Sequence, residues 1–479
     1  MAVDFSKAFD TVNHTALLRS LSEHNLEPNT MRWLCTYLRG RTASCSYNRV
    51  ESARVTLHCG VPQGSILSPL LFNYYVSTYP ETSHLCTSYA DDFTAAASDP
   101  RVEVAASALA GHAEDVTAWA QERGLQLSAQ KSTVTLFTSD THQSNLNPIV
   151  PINGTPLRLE RNPKILGVTF DPHFHFHKHV DSIVQRAKPR LNILKLLTGT
   201  NWGQAKETIV ATYKSLIDSL ITYACPIWYP NISHTSFEKL QVLQNSALRI
   251  ATGCVKMSPI DHLHSEAKVL KVEEHLKMIS SQFLATCLQP NHPSRQVVNS
   301  DPGPRNKKRT LKKACYDQVG DLLVTDPVSQ EGYIEDIKEA RKVIHTRAVE
   351  RAIASRRDNR VLGGAAPEVD GIEESLPRGA RTTLAQLRSG YCSSLNTFKH
   401  RIGLAPSPLC PCCRQEEHTV RHLFQCDSHP TTLTPADLWR RPETALRFLR
   451  NWPCFERIDP ERPPPEPPPT HPTTRGAGL

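Results

Sequence analysis

Two apolar periods divide the chain. Up to about residue 170, short apolar runs with strand-like alternation interleave with stretches of helical spacing, an α/β or α+β pattern. The clearest helix covers Val102 to Arg123, with Gly124 placed to end it. Gln126 to Thr138 reads as strand material around Val134, Leu136 and Phe137, and Ile165 to Phe170 as another short strand. From Val180 the spacing changes: Val180, Ile183, Val184, Ala187, Leu191, Leu194 and Leu197 recur every three or four residues, an amphipathic helix. Ile209 to Trp228 and Phe237 to Ile250 continue the theme, so a mostly helical region is expected up to Pro290.

Beyond it the pattern loosens. Pro290 to Pro304 reads as a linker running into the cations Arg305, Lys307, Lys308, Arg309, Lys312 and Lys313, a solvated run that nucleic acid or nuclear import could also use. A helical stretch is expected around Tyr333 to Arg357, then a glycine break at Gly363-Gly364 and a compact Cys/His-dense region from Arg381. Pro463 to Pro465 and Pro467 to Pro469 mark an extended tail that cannot pack a core.

At 479 residues the chain is long enough for more than one core. A formal charge of +8 fits a polyanionic partner. Most of the 14 cysteines are scattered singly, unlike a secreted disulfide framework, and point to a reducing compartment. The apolar runs are too short for a membrane span, and the first residues do not form a signal peptide, so an intracellular protein is expected.

The chemistry starts with carboxylates. Asp4, in Val3 to Asp10, and Asp91-Asp92, in Tyr89 to Asp92, are acids set in apolar, strand-like surroundings, where they repel one another unless a divalent cation neutralises them. Leu85 to Ala97 reads as two short strands joined by an acidic turn that lifts both aspartates to a hairpin tip, although an ordinary surface turn has the same look. Between the acids lies Gly60-Val61-Pro62-Gln63-Gly64-Ser65, followed by Ile66 to Pro69.

Together and in this order, these segments resemble the palm motifs of a reverse transcriptase. Asp4 to His14 resembles motif A, Gly60 to Pro69 motif B, Tyr89 to Asp92 motif C, Lys131 after Gly124-Leu125 the motif D lysine, and Leu166-Gly167-Val168 motif E. In wording they are most similar to non-LTR (LINE-type, jockey-like) retrotransposon polymerases. The resemblance implies an α+β fold: a palm of a small antiparallel sheet backed by helices, a mostly helical thumb and a small C-terminal zinc-knuckle region. It implies an RNA-directed DNA polymerase with RNA template, DNA primer and deoxynucleotide triphosphates as partners, and two Mg²⁺ ions held by Asp4, Asp91 and Asp92. It places Phe9 as the aromatic gate against a ribose 2′-hydroxyl, Gln63 and Gly64 beside the incoming base and template, and Lys131 near the departing pyrophosphate. Asp10 is left as a supporting residue. Lys188, Arg190 and Lys195 are candidate thumb contacts to phosphate.

A second constellation is Cys410-Pro411-Cys412-Cys413 with His418, His422 and Cys426. Zinc takes four N/S ligands in a tetrahedron, and C-x2-C is the common way to present two. Cys410, Cys413, His422 and Cys426 fit one structural Zn²⁺; the retroviral register through His418 would need a ligand at Leu423. His173, His175, His177 and His179 alternate as on a strand face, but a turn into a helix is expected there.

The resulting organisation is palm 1–165, motif E and thumb 166–290, basic linker and helical segment 291–380, zinc-knuckle region 381–430 and proline-rich tail 431–479. Only three residues precede Asp4, so the fingers motifs and upstream endonuclease of such elements are expected to be missing, as in a truncated copy with impaired synthesis. The alternative is a non-catalytic RNA- or DNA-binding remnant. Either would work in the nucleus or cytoplasm as a ribonucleoprotein.

Overall fold

The computed structural model describes residues 1–24, 26–80, 85–199, 202–300, 310–326 and 331–455. The chain divides into two compact units, Met1–Phe174 and His175 onward.

The first unit is built on a five-stranded sheet. Its strands are β1 (Ala2–Asp4), β6 (Leu85–Tyr89), β7 (Asp92–Ala96), β8 (Thr133–Val134) and β11 (Arg158–Leu159), in the order β11-β8-β1-β7-β6. The β11–β8 pair is parallel and the other pairings are antiparallel. β1 is therefore central, and the Met1 nitrogen continues its ladder by donating to the Ala95 carbonyl. Alternation sorts the strands: Val3, Phe93 and Ala95 are buried, while Asp4 and Asp92 are not. The apolar face packs on helices α1 (His14–Ser22), α2 (Pro28–Leu38), α3 (Ser68–Val76) and α4 (Val102–Arg123), with Phe5 set edge-on to Phe93 and Trp119. α4 has the limits that its pattern predicts and ends on Gly124 at φ 70°, the left-handed cap only glycine adopts without strain.

Between α2 and α3 lie two short strand pairs, β2 (Thr42–Ala43) with β5 (Val55–Thr56) and β3 (Ser46–Tyr47) with β4 (Val50–Glu51). Further on, β9 (Pro151–Ile152) pairs with β10 (Thr155–Pro156), and β12 (Lys164–Ile165) with β13 (Val168–Thr169). Two expectations change here. Ile165 to Phe170 is not one strand: Leu166 and Gly167 both take positive φ and fold it into a hairpin. Of Gln126 to Thr138, only Thr133–Val134 is strand, because Ser128 to Ser132 turn on themselves through bonds to the Ser128 carbonyl.

The second unit is mostly helical. α5 (His177–Leu197) packs on the helix His234–Thr252, and Val272–Cys287 packs on Leu311–Val319 and Ile337–Ala354. In the segment 291–380 the helical stretch expected around Tyr333 to Arg357 is Ile337–Ala354, joined by Leu311–Val319, and both helices bury one face against Val272–Cys287. The cations Arg305 to Arg309 lie outside the described residues. The histidine alternation breaks where Phe174 and Phe176 take positive φ and α5 begins at His177.

The proline-rich tail also starts later than expected. Residues 437–440 and 442–449 are helical, and Leu438, Trp439, Leu446, Leu449, Trp452 and Phe455 are buried in one core with Leu384, Leu387 and Cys410. The region 381–430 is therefore completed by residues to 455, and the rest of the tail lies outside the described residues. Helix Arg378–Arg388 joins this core to the earlier helices: Arg378 donates to the Ile250 and Ala251 carbonyls and Gln386 to that of Gly253, satisfying the end of His234–Thr252. The residue at its end, Arg388, is fully buried with Glu266 and Glu373, both of which Lys206 also approaches.

Candidate active site and metal centre

Antiparallel register brings the acids together. Asp4 and Asp92 are direct partners across β1 and β7, and Ala90-Asp91 is the two-residue turn between Tyr89 and Asp92. Ala90 takes φ 53°, a conformation costly for a residue with a Cβ, so the hairpin holds its acidic tip at some expense. The carboxyl of Asp92 is pushed above its usual range, first by burial and then by the negative charges of Asp91 and Asp4. Three carboxylates therefore act on one another at one sheet end.

Lys131 answers them. Its Nζ lies 3.8 Å from Asp4 Oδ1, with the lysine side chain largely solvated and that of Asp4 only partly so. That oxygen is itself buried and has no hydrogen-bond partner, whereas buried carboxylate oxygens are normally satisfied. A buried anionic oxygen without a hydrogen bond, beside two further carboxylates, is a donor set suited to a hard divalent cation. A cleft of about 220 Å³ opens there, lined by Asp4, Tyr89, Asp92, Lys131, Lys164 and Leu166. Lys164 and Leu166 belong to the β12–β13 hairpin; the motif E resemblance singles out Leu166 and not Lys164.

The other residues singled out in the sequence occupy the neighbouring loops. Phe9 is half-buried and its ring stacks on Phe72 with centroids 4.1 Å apart, which fixes the orientation of the ring. Gln63 Nε2 donates to Asp10 Oδ1 at 3.0 Å, so the supporting acid holds the motif B glutamine. Gly60 packs so tightly on Asp10 that a Cβ would lie 2.8 Å from its carbonyl oxygen, while Gly64, at φ 86°, faces open space.

In the second unit, ligand atoms of Cys410, Cys413, His422 and Cys426 all lie within 4.8 Å of one another. Ligands of one zinc at about 2.0–2.3 Å would be spaced in this way. His422 Nε2 is 3.3 Å from Cys413 Sγ, and its Nδ1 meets Glu416 Oε2 at 2.9 Å, the outer carboxylate that fixes a ligating imidazole. Backbone N–H groups of Gln415 and Glu416 pull the Cys413 thiol down to about 6, while burial pushes Cys410 up to about 11. The site thus combines a thiolate-ready ligand with one that a cation must help to ionise. The other two cluster residues pack elsewhere: His418 and His429 flank the ring of Trp452, with Cys454 3.8 Å from His418 and Cys412 3.3 Å from His429. Glu416 is the residue that sequence reasoning missed; its position between the two ligand pairs was the available signal. Among the described residues no helix is long and apolar enough to cross a membrane.

Residues 1–170 match the family model "Reverse transcriptase (RNA-dependent DNA polymerase)". The chain is 26% identical to the RNA-directed DNA polymerase from mobile element jockey of Drosophila melanogaster, over 67% of the chain and 36% of that protein. It is 26% identical to the probable RNA-directed DNA polymerase from transposon BS of the same fly, over 65% of the chain and 35% of that protein. It is 22% identical to the Pol polyprotein from type-1 retrotransposable element R1 of Bradysia coprophila, over 88% of the chain and 40% of that protein. The chain thus spans little more than a third of the curated jockey polymerase that it matches. A match over 67% of the chain must run past residue 170, so the likeness includes part of the helical unit. Residues 1–170 are thus similar to reverse transcriptases, and the chain that carries them is similar to the non-LTR retrotransposon polymerases.

Proposed function

We propose that this chain is part of an RNA-directed DNA polymerase that extends a DNA primer on an RNA template from deoxynucleotide triphosphates. The observation that carries the reading is the register pairing of Asp4 with Asp92, beside Asp91, around a buried carboxylate oxygen with no hydrogen-bond partner. Asp4, Asp91 and Asp92 would hold two Mg²⁺ ions, which supply activation of a 3′-hydroxyl and stabilisation of a leaving pyrophosphate. The chain's own residues position and discriminate. The Phe9 ring, braced by Phe72, would stand against a 2′-hydroxyl. Gln63, held by Asp10, and Gly64, open to solvent, would border the base pair being formed. Lys131 would lend positive charge to the triphosphate once Asp4 is occupied by metal.

Cys410, Cys413, His422 and Cys426 would hold one structural Zn²⁺ that fixes the C-terminal core. Nuclear or cytoplasmic residence as a ribonucleoprotein follows from this reading. The test is primer extension on an RNA template with Mg²⁺, beside Asp91→Ala. Synthesis that Asp91→Ala abolishes supports the reading. Tight RNA binding without synthesis at any Mg²⁺ concentration favours a non-catalytic binding remnant instead. Metal analysis should return one zinc per chain, and none in Cys410→Ser/Cys413→Ser.

A further inference from the structure

Residues 41–57 form a ribbon that the first unit does not use for its own core. β2 pairs with β5 and β3 with β4, and every residue from Thr42 to Cys59 is exposed. The tip is a two-residue turn, Asn48-Arg49, with φ 48° and 67°, the positive pair favoured by a tight hairpin. Two residues, Ser44 and Cys45, face three, Ser52 to Arg54, between the paired segments, so a bulge twists the ribbon. A two-stranded ribbon without a packed face is marginal by itself. Such a segment is kept for what binds to it.

Its chemistry specifies the occupant. From Arg39 to His58 the chain carries Arg39, Arg41, Arg49 and Arg54 against the single acid Glu51, which accepts from Ser44 Oγ at 2.6 Å. Tyr47 and Val50 face each other across β3–β4, 79% and 71% exposed, opposite the Ser46–Glu51 side. At the base, Arg41 lies over the ring of Tyr37, and Tyr37 stacks on Trp33, which is 56% exposed. The Tyr37 hydroxyl bonds Ser65 Oγ at 2.7 Å, tying this aromatic and cationic track to the Gly60–Ser65 turn.

Guanidinium groups interleaved with exposed aromatic rings suit an unpaired nucleic-acid strand: phosphates meet the arginines, and bases that are not stacked in a duplex lie on the rings. We propose that the ribbon, with Trp33 and Tyr37, is a docking arm for the single-stranded RNA template beside the Gly60–Ser65 turn. The assignment of the strand as template rests on the polymerase reading; the binding does not. Arg49 and Arg54 supply phosphate contacts, and Tyr47 supplies a stacking platform.

The test uses the full chain and a fluorescent single-stranded 20-nucleotide RNA, with affinity measured against salt. Arg49→Ala/Arg54→Ala should flatten the salt slope by about 1.4, as for two lost contacts to a single strand. Arg49→Lys/Arg54→Lys should restore it. Tyr47→Ala should weaken binding roughly five- to hundred-fold and Tyr47→Phe little. Because these side chains lie outside the core, melting temperatures should match the parent, which separates lost binding from lost folding. Asp91→Asn should bind RNA like the parent, so failure of primer extension leaves this readout intact. Identical salt slopes and affinities in parent and arm variants would overturn the arm alone. So would sedimentation showing a dimer that the arm variants dissolve with RNA affinity unchanged, which would give the ribbon to a second copy.

Discussion

Acidic residues are treated in opposite ways by the two units. In the first, Asp4, Asp91 and Asp92 meet at a sheet end with one solvated lysine among them, and Asp92 is held more readily protonated than a free aspartate. In the second, Glu266 and Glu373 are fully buried against Arg388 and Lys206, and the carboxyl of Glu266 falls to about 2, against the desolvation that burial imposes and through the charges of Arg388 and Lys206. The difference teaches how to read a cluster of charge. Acids that the protein itself neutralises hold the fold together, and acids left in mutual repulsion have been left for something else.

The sharpest way to break this contrast is at Arg388. Arg388→Met leaves two buried glutamates with Lys206 alone and should cost about 3–5 kcal/mol. Urea unfolding of the second unit measures it, and adding Glu266→Gln and Glu373→Gln should recover part of the loss.

Acid comes next, and its signs differ between the units. His264 is buried and neutral, pushed down to about 4 by desolvation, so its contribution is complete above pH 6.5 and is lost as pH falls towards 4. That amounts to about 3 kcal/mol. Glu266 adds a loss in the same direction between pH 4.5 and 2, because its folded value lies below its ordinary 4.5. Asp92 has a raised value, so its folded state is relatively favoured at low pH and less so as pH rises. Hydrogen exchange at pH 7 and pH 5 should show protection falling in Ile260–Ala267 while the β1–β7 ladder holds. Parallel loss in both units would dissolve the distinction.

Smaller effects sharpen it. Asp92→Asn removes repulsion from a solvated group and should raise the melting point slightly, by about 0.5 kcal/mol or less, while primer extension falls. A destabilised Asp92→Asn would mean that the carboxylate is structural. Ala90→Gly should relax the hairpin turn, yet change stability by no more than about 1 kcal/mol, because the gain is offset by a freer unfolded chain. Thermal melting reads it.

How much of this was legible from sequence depended on the range of the signal. The acids were readable because alternation around Val3 and Phe93 fixes which side chains leave the core. α4 was readable because its pattern and its stop, Gly124, are local. That Cys410, Cys413, His422 and Cys426 could come together was readable from spacing, although nothing in the spacing showed that His418 and His429 would flank Trp452. The order in residues 431–455 was missed because the prolines further along dominated the composition, while Trp439, Leu446, Leu449 and Trp452 acquire meaning only against Leu384 and Leu387. Arg388 gave no signal, since a buried arginine is specified by partners as distant in sequence as Glu266, 122 residues away.

Trp452 also sets a timetable for synthesis. The first unit closes within its own 174 residues, so it can fold while the ribosome is still making the rest. The second cannot: its inner helices depend on Arg378 and Arg388, and those on a core that lacks Trp452 and Phe455 until the ribosome has passed them. During that interval apolar helix faces wait uncovered, and a nascent chain stalled before residue 452 would be a client for chaperones, with its N-terminal sheet already folded.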